Sequence, residues 1–216
     1  MSLIQTLFRL FGLFASSQSQ TSRKRSSFQT EGTLLDLADR YESQLADRTF
    51  SYTFTPQKGK SFRADVEFER SGFCHLFSIG SIVKATREDP DEYAGMKGWR
   101  NIQNGVITFD KLQKLDPEEF EYYAREYVHF DELVQTVHNP QAVVFDARKV
   151  PGSKLKSDVL LYGIHGDKTI HIGLCEGNDG WFVRSFFVRD IDQDRQYPTK
   201  YIYGMDPLEV SVKVKK

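Results

Sequence analysis

Residues Lys154–Arg189 read KLKSDVLLYGIHGDKTIHIGLCEGNDGWFVRSFFVR, and this stretch decides the fold. Gly166-Asp167 is a two-residue hairpin signal, and Gly177-Asn178-Asp179-Gly180 marks a second, slightly longer turn. Three consecutive antiparallel strands follow from those turns. If both hairpins pair tightly, Tyr162 lies opposite His171, Leu160 opposite Gly173, Gly173 opposite Arg184 and His171 opposite Phe186. Strand side chains alternate with period two, so His171, Gly173, Arg184, Tyr162 and Asp158 share one face. Val159, Leu161, Ile170, Ile172, Leu174, Val183 and Phe187 fall on the other, a core side fit to pack on helices. An imidazole, a guanidinium and a phenol then converge over a glycine that leaves room for a ligand.

Working outward, the rest of the chain supplies helices and the remaining strands. Thr33–Ala46 has Leu34, Leu37, Ala38, Tyr41 and Leu45 at helical spacing. Thr49–Thr55 and Phe62–Phe68 alternate as a strand pair joined by Pro56-Gln57-Lys58-Gly59-Lys60. Phe73–Ile82, short and apolar, fits a strand or a short helix. Asp91–Asn104 and Thr108–Leu115 predict two short helices, the second capped by Thr108 or Asp110. Asp116-Pro117-Glu118-Glu119 opens a longer helix to about His138, with acids in its first turn and proline at its first helical position. Ala142–Asp146 and Leu208–Val214 are further strands. The order of helix, hairpin, helical insert and antiparallel meander is α+β, with N-terminal helices and the insert packed on an antiparallel sheet.

The organisation is an appendage, residues 1–30, followed by a single domain over 31–216. Leu3, Ile4, Leu7, Leu10, Phe11 and Phe14 recur at helical spacing. That run is too short to span a membrane and is interrupted by Arg9. It also lacks the charge and cleavage pattern of a signal peptide. Met1–Phe14 suits docking to a partner or a membrane surface, or packing on its own domain. Ala15–Ser27, rich in Ser, Gln and Thr, is a flexible linker.

Net charge is −1, so nothing draws the whole chain to nucleic acid. The distribution is uneven. Thr86–Leu133 holds twelve acids against six bases, and Arg148–Lys216 twelve bases against nine acids, so a modest basic bias sits on the half carrying the three strands. It permits a polyanion ligand without requiring one. The two cysteines, Cys74 and Cys175, have no metal-ligand spacing and read as free thiols of a reducing compartment. No metal or cofactor is expected, and no P-loop, dinucleotide fingerprint, nucleophile elbow or HExxH is present.

The remaining chemistry is that of the His/Arg/Tyr face. Cleavage of RNA through its 2′-hydroxyl needs a base, an acid for the leaving 5′-oxygen and a cation over the phosphorane. Histidine serves the first two because its unperturbed pKa lies near 6.5. Arginine serves the third through its fixed fork of donors. His171, Arg184 and Tyr162 are therefore candidate catalytic residues. His75 is the partner acid or base if the fold brings residues 72–80 to the sheet; otherwise it is a semi-buried structural histidine. Lys156, Ser185 and Arg189 are candidate substrate contacts, with a solvated strand end the other reading of Lys156. His129, His138 and His165 suit surface positions.

Five segments in order, FCHLFSIGSI (73–82), GWRNIQNGVIT (98–108), KLKSDVLLY (154–162), IHIGL (170–174) and SFFVRD (185–190), resemble a phage-associated branch of the Barnase–EndoU–colicin–RelE-like nucleases, the fourth such phage family. The resemblance covers most of residues 50–214. It implies a RelE/barnase-like ribonuclease fold, RNase activity without a metal cofactor, and an origin in a phage, prophage or mobile element. Carried onto this chain it points to His75, Tyr162, His171 and the Arg184-Ser185 pair. The reading is a cytoplasmic endoribonuclease of toxin type in a bacterial host, leaving a 2′,3′-cyclic phosphate. His171 and His75 would share acid and base roles, Tyr162 would orient His171, and Arg184 would stabilise the phosphorane. Near-neutral charge favours a structured target, a tRNA or a ribosome-bound message. A cognate inhibitor would be the second partner. The alternative is a non-catalytic adaptor using the same face and docking through Met1–Phe14. A transferase of ADP-ribosyl or nucleotidyl groups ranks last, for want of a nucleotide motif.

Overall fold

A computed structural model describes residues 32–192 and 197–215. The expected helix over Met1–Phe14 lies outside the described residues. The architecture is α+β, as the element order predicts. Helix α1 (Leu34–Gln44) starts on a capping box: the Asp36 backbone N–H donates to the Thr33 hydroxyl, and the Thr33 N–H donates to the Asp36 carboxylate. Strands β1 (Thr49–Pro56) and β2 (Phe62–Glu67) form the first hairpin. The ambiguous Phe73–Ile82 stretch is helical, split into α2 (Phe73–Leu76) and α3 (Ile79–Val83). Helix α4 (Gly95–Gln103) is shorter than predicted, because Pro90–Tyr93 forms a separate 3₁₀ turn before it. Helix α5 (Phe109–Leu115) follows, its Lys111 N–H capped by the Thr108 hydroxyl.

The long helix expected to His138 is two, α6 (Pro117–Val128) and α7 (Phe130–His138), parted at His129, whose ψ of 28° leaves the helical range. No glycine or proline marks that break. Strands β3 (Gln141–Val144), β4 (Val159–His165), β5 (Lys168–Gly177), β6 (Gly180–Asp190) and β7 (Asp206–Lys215) complete a seven-stranded antiparallel sheet of order β2-β1-β7-β3-β4-β5-β6. The sheet curls until its edges meet: Phe62 of β2 stacks on Trp181 of β6, ring centroids 5.9 Å apart.

The helices pack inside the curl. Tyr41 of α1 makes edge contacts with Phe68, Phe73 and Phe77, and its hydroxyl donates to the Glu69 carbonyl oxygen at 2.9 Å. Phe50, Tyr52, Phe54, Ile170, Ile172, Leu174 and Phe186 close this core from the sheet. A second apolar cluster covers the outer face: Val143, Phe145, Val150, Leu160, Phe187, Ile202 and Met205. Strand β5 is therefore buried on both faces, continuously from Thr169 to Leu174. Among the described residues, no helix is long and apolar enough to cross a membrane.

Candidate functional site

The β4–β5 hairpin pairs as predicted, with Tyr162 opposite His171 and Leu160 opposite Gly173; Gly166 takes the positive φ of 60° its turn requires. The β5–β6 hairpin does not. A β-bulge beside Gly173 and Leu174 sets Ser185 opposite Gly173 and Phe187 opposite His171, with Arg184 left over as the extra residue. The pairing slips by one, so every side chain of β6 beyond the bulge changes face relative to the expectation. Phe186 enters the helical core, and Phe187 joins the outer cluster instead of the core side predicted for it.

That slip, together with the connection after β6, closes the face expected to be open. The His171 ring stacks on Phe187 at 4.5 Å with 5° between planes, and Tyr201 meets it edge-on at 5.7 Å. His171 Nε2 and the Thr199 hydroxyl are 2.9 Å apart, and the histidine is wholly buried. Burial first, and the Arg189 charge second, push its pKa down to about 3. A ring that is neutral, stacked and sealed cannot exchange protons with a substrate near neutral pH. The expectation that His171 shares acid and base work with His75 is corrected on this ground: His171 is a packing residue of the second core. Tyr162 is beside it, half-buried and packed on the same cluster, its hydroxyl made less acidic by that burial.

Gly173 leaves no room for a ligand either. A Cβ there would come 2.2 Å from the Ser157 hydroxyl oxygen and 2.5 Å from that of Ser185, so two hydroxyls already fill the space above it. Both are buried and have no hydrogen-bond partner among the described residues. Lys156 is exposed, and its carbonyl oxygen accepts from the Cys175 thiol at 3.1 Å. Arg189 stays beside the stacking partner of His171. It lies over the rings of Phe187 and Tyr122, 5.1 and 5.9 Å from their centroids, and donates to the Tyr122 hydroxyl at 3.2 Å.

His75 behaves differently. Its helix, α2, buries Phe73, Cys74 and Leu76 in the helical core and leaves the imidazole exposed at the β6 edge. Nε2 is 2.8 Å from the carbonyl oxygen of Arg184, the bulge residue. A carbonyl oxygen only accepts, so Nε2 carries the proton and the lone pair of neutral His75 is on Nδ1. His75 therefore meets Arg184 through the backbone, while His171 and Tyr162 sit across the sheet. Two clefts open beside the ring. One, of about 210 Å³, is lined by Tyr41, Glu67, Glu69, Phe182 and Val183 among others; the other, of about 190 Å³, by Ser78, Ser81, Lys84, Tyr93 and Gly95.

One buried acid stands out in the helical layer. Glu126 of α6 is 3% exposed, and its Oε2 has no hydrogen-bond partner among the described residues. Burial raises its pKa to about 8 against the counter-effects of the Ser78 hydroxyl, Arg189 and Arg125. A signal exists in the sequence: Glu126 stands three residues from both Tyr123 and His129 and four from Phe130, on the flank of an apolar stripe rather than opposite it.

The model of one protein family, described as phage-Barnase-EndoU-ColicinE5/D-RelE like nuclease4, matches residues 33–205. No curated protein and no solved structure matches the chain. The match spans most of the chain, which therefore belongs to this nuclease family, and the curled antiparallel sheet with its inner helices is consistent with that fold.

Proposed function

We propose that this member of the phage-associated nuclease family is a metal-independent endoribonuclease of toxin type, in which His75 is the proton-transfer group at the scissile phosphate. The observation that carries the reading is the 2.8 Å contact of His75 Nε2 with the Arg184 carbonyl, which fixes the ring and leaves Nδ1 free on an exposed side chain. Nδ1 takes the 2′-hydroxyl proton as the oxygen attacks phosphorus, and the imidazolium so formed passes that proton to the leaving 5′-oxygen. The bond broken is P–O5′ and the product is a 2′,3′-cyclic phosphate. Arg184, on the bulge, and Lys84 at the rim are the candidate cations for the phosphorane. With a net charge of −1, a structured RNA such as a tRNA or a ribosome-bound message fits better than unselected RNA. A bacterial cytoplasm is the matching site of action, with a cognate inhibitor as the expected partner of such a toxin.

The test uses the full chain and His75→Ala on total tRNA and on a matched all-deoxy oligonucleotide, each with and without a chelator. Cleavage of RNA alone, unaffected by chelation, leaving cyclic phosphate ends and falling about 10²- to 10⁴-fold in the variant, is the expected result. Equal cleavage of DNA, or an undiminished His75→Ala enzyme, overturns the assignment. Deleting residues 1–27 separates the adaptor alternative, since an enzyme keeps its turnover and an adaptor loses its partner.

A further inference from the structure

A groove of about 410 Å³ is lined by the start of α1 and by the α4–α5 connection, and it shares no lining residue with the two clefts at His75. Its lining is mostly apolar: Leu34, Ile102 and Ile107 are buried, Phe109 is half-buried, and Leu35 is 37% exposed. Val106, between two lining residues, is 50% exposed. A cavity of about 150 Å³ accommodates benzene, so a groove of this size has room for about two or three large apolar side chains. Gly32, the first described residue, is part of the lining, so the groove begins where residues 1–31 join the domain.

We propose that the occupant of this groove is the apolar stripe of Leu3–Phe14 of the same chain, which docks on its own domain rather than on a separate partner. Three observations choose it. Leu3, Leu7, Leu10, Phe11 and Phe14 recur at helical spacing and offer the large apolar groups that the groove has room for. The tether has the right length: Phe14 precedes Gly32 by 32 − 14 = 18 positions. A Ser- and Gln-rich coil of that length spans about 21–25 Å root-mean-square, which reaches a groove that starts at Gly32 and holds the stripe at an effective concentration of order 1 mM. The charges are complementary as well. Residues 1–27 carry Arg9, Arg23, Lys24 and Arg25 and no acid, whereas Asp110 lines the groove and Asp36 and Asp39 are exposed on the adjoining α1. Residues 1–32 precede the stretch matched by the family model, so the nuclease reading neither requires this docking nor depends on it.

Two measurements on the full chain test it. Methyl NMR of the wild type should show through-space contacts between Leu7 or Leu10 and Leu35 or Ile107, unchanged on dilution. Limited trypsin digestion then compares the wild type with Leu35→Gln/Val106→Gln, a pair of exposed positions whose change leaves the core and the cut sites intact. An effective concentration of order 1 mM against an affinity of about 0.1 mM slows cleavage after Arg9 about ten-fold in the wild type relative to the variant, while cleavage after Arg23, Lys24 and Arg25 stays the same. Absence of the methyl contacts overturns the proposal whatever the digestion shows, and so does equal cleavage after Arg9 in the two proteins. Contacts that fade on dilution overturn it in favour of a second copy, and contacts made by Phe28 in place of Leu7 and Leu10 overturn it in favour of the residues next to Gly32. If Leu7 and Leu10 respond only to phosphatidylglycerol vesicles and never meet Leu35 or Ile107, the stripe belongs to a membrane surface and the proposal falls.

Discussion

The buried carboxyl and the buried imidazole should oppose each other in the pH dependence of stability, and Glu126→Gln should expose the contest. Glu126 is raised from 4.5 to about 8 in the folded protein, so its contribution is full below pH 4.5 and is lost as pH climbs through 8. His171 is lowered from 6.5 to about 3, so its contribution is full above pH 6.5 and is lost as pH falls toward 3. A tenfold change in proton affinity between the unfolded and folded states is worth about 1.36 kcal/mol. On that scale the first group removes about 2.5 kcal/mol between pH 5 and pH 7, and the second restores about 2 kcal/mol. The wild type should look nearly level across this window. In Glu126→Gln the carboxyl is gone and only the His171 contribution remains, so the variant should gain about 2.5 kcal/mol on the wild type between pH 5 and pH 7. For a domain of this size that is a relative rise in Tm of roughly 5–10 °C. Urea unfolding followed by the fluorescence of Trp99 and Trp181 at pH 5, 6 and 7 measures it, taking the difference between the two proteins so that every other titrating group cancels. A difference constant to within about 0.5 kcal/mol would show that Glu126 is already ionised at pH 5, and the argument from its burial would fail.

Three further outcomes follow from the packing around the sheet. Gly173→Ala forces a methyl against the Ser157 and Ser185 hydroxyls and should cost about 1–3 kcal/mol in urea unfolding; an unchanged midpoint would mean that the space is open after all. His171→Ala should lower stability by about 2–4 kcal/mol through the cavity left between Phe187 and Tyr201 while RNA cleavage by the folded fraction stays within a few-fold. A loss of rate of about 10²-fold or more in well-folded His171→Ala would instead return the imidazole to the chemistry. Thr199→Val removes the hydroxyl bonded to His171 and should cost about 1 kcal/mol, read in the same unfolding assay; an unchanged midpoint would mean that the hydroxyl contributes nothing to holding the ring.

The strands and their first register were legible because Gly166-Asp167 dictates a turn and the alternation beyond it dictates the faces. The bulge was legible only in retrospect, from a parity conflict. Val183 and Phe186 both belong to the helical core although they stand three positions apart, and no regular strand can aim both inward. A regular second hairpin would put Arg184 opposite Gly173 and open a site that the structure closes. The outer core was harder still. Its residues Phe145, Val150, Ile202 and Met205 come from strand ends and connections, where no period announces a common face. Only their number, too many large apolar groups for exposed loops, argues that something must lie beneath them.

The same physics is why the proposed reading puts proton chemistry on the β6 edge rather than on the sheet face. A face covered by a second apolar cluster drives a histidine neutral and removes it from solvent, which suits packing and defeats acid–base exchange. The bulge at Arg184 works the opposite way. It interrupts the regular pairing at an edge strand and turns a backbone carbonyl out to where α2 can supply an imidazole. An edge that would otherwise present unpaired backbone groups to other chains is thereby occupied by a titratable side chain. Ser78, twisted out of helical conformation two residues beyond Leu76, lines the cleft beside the same imidazole. Irregular backbone at two places, a bulge and a left-handed serine, assembles groups that sequence spacing keeps more than a hundred residues apart.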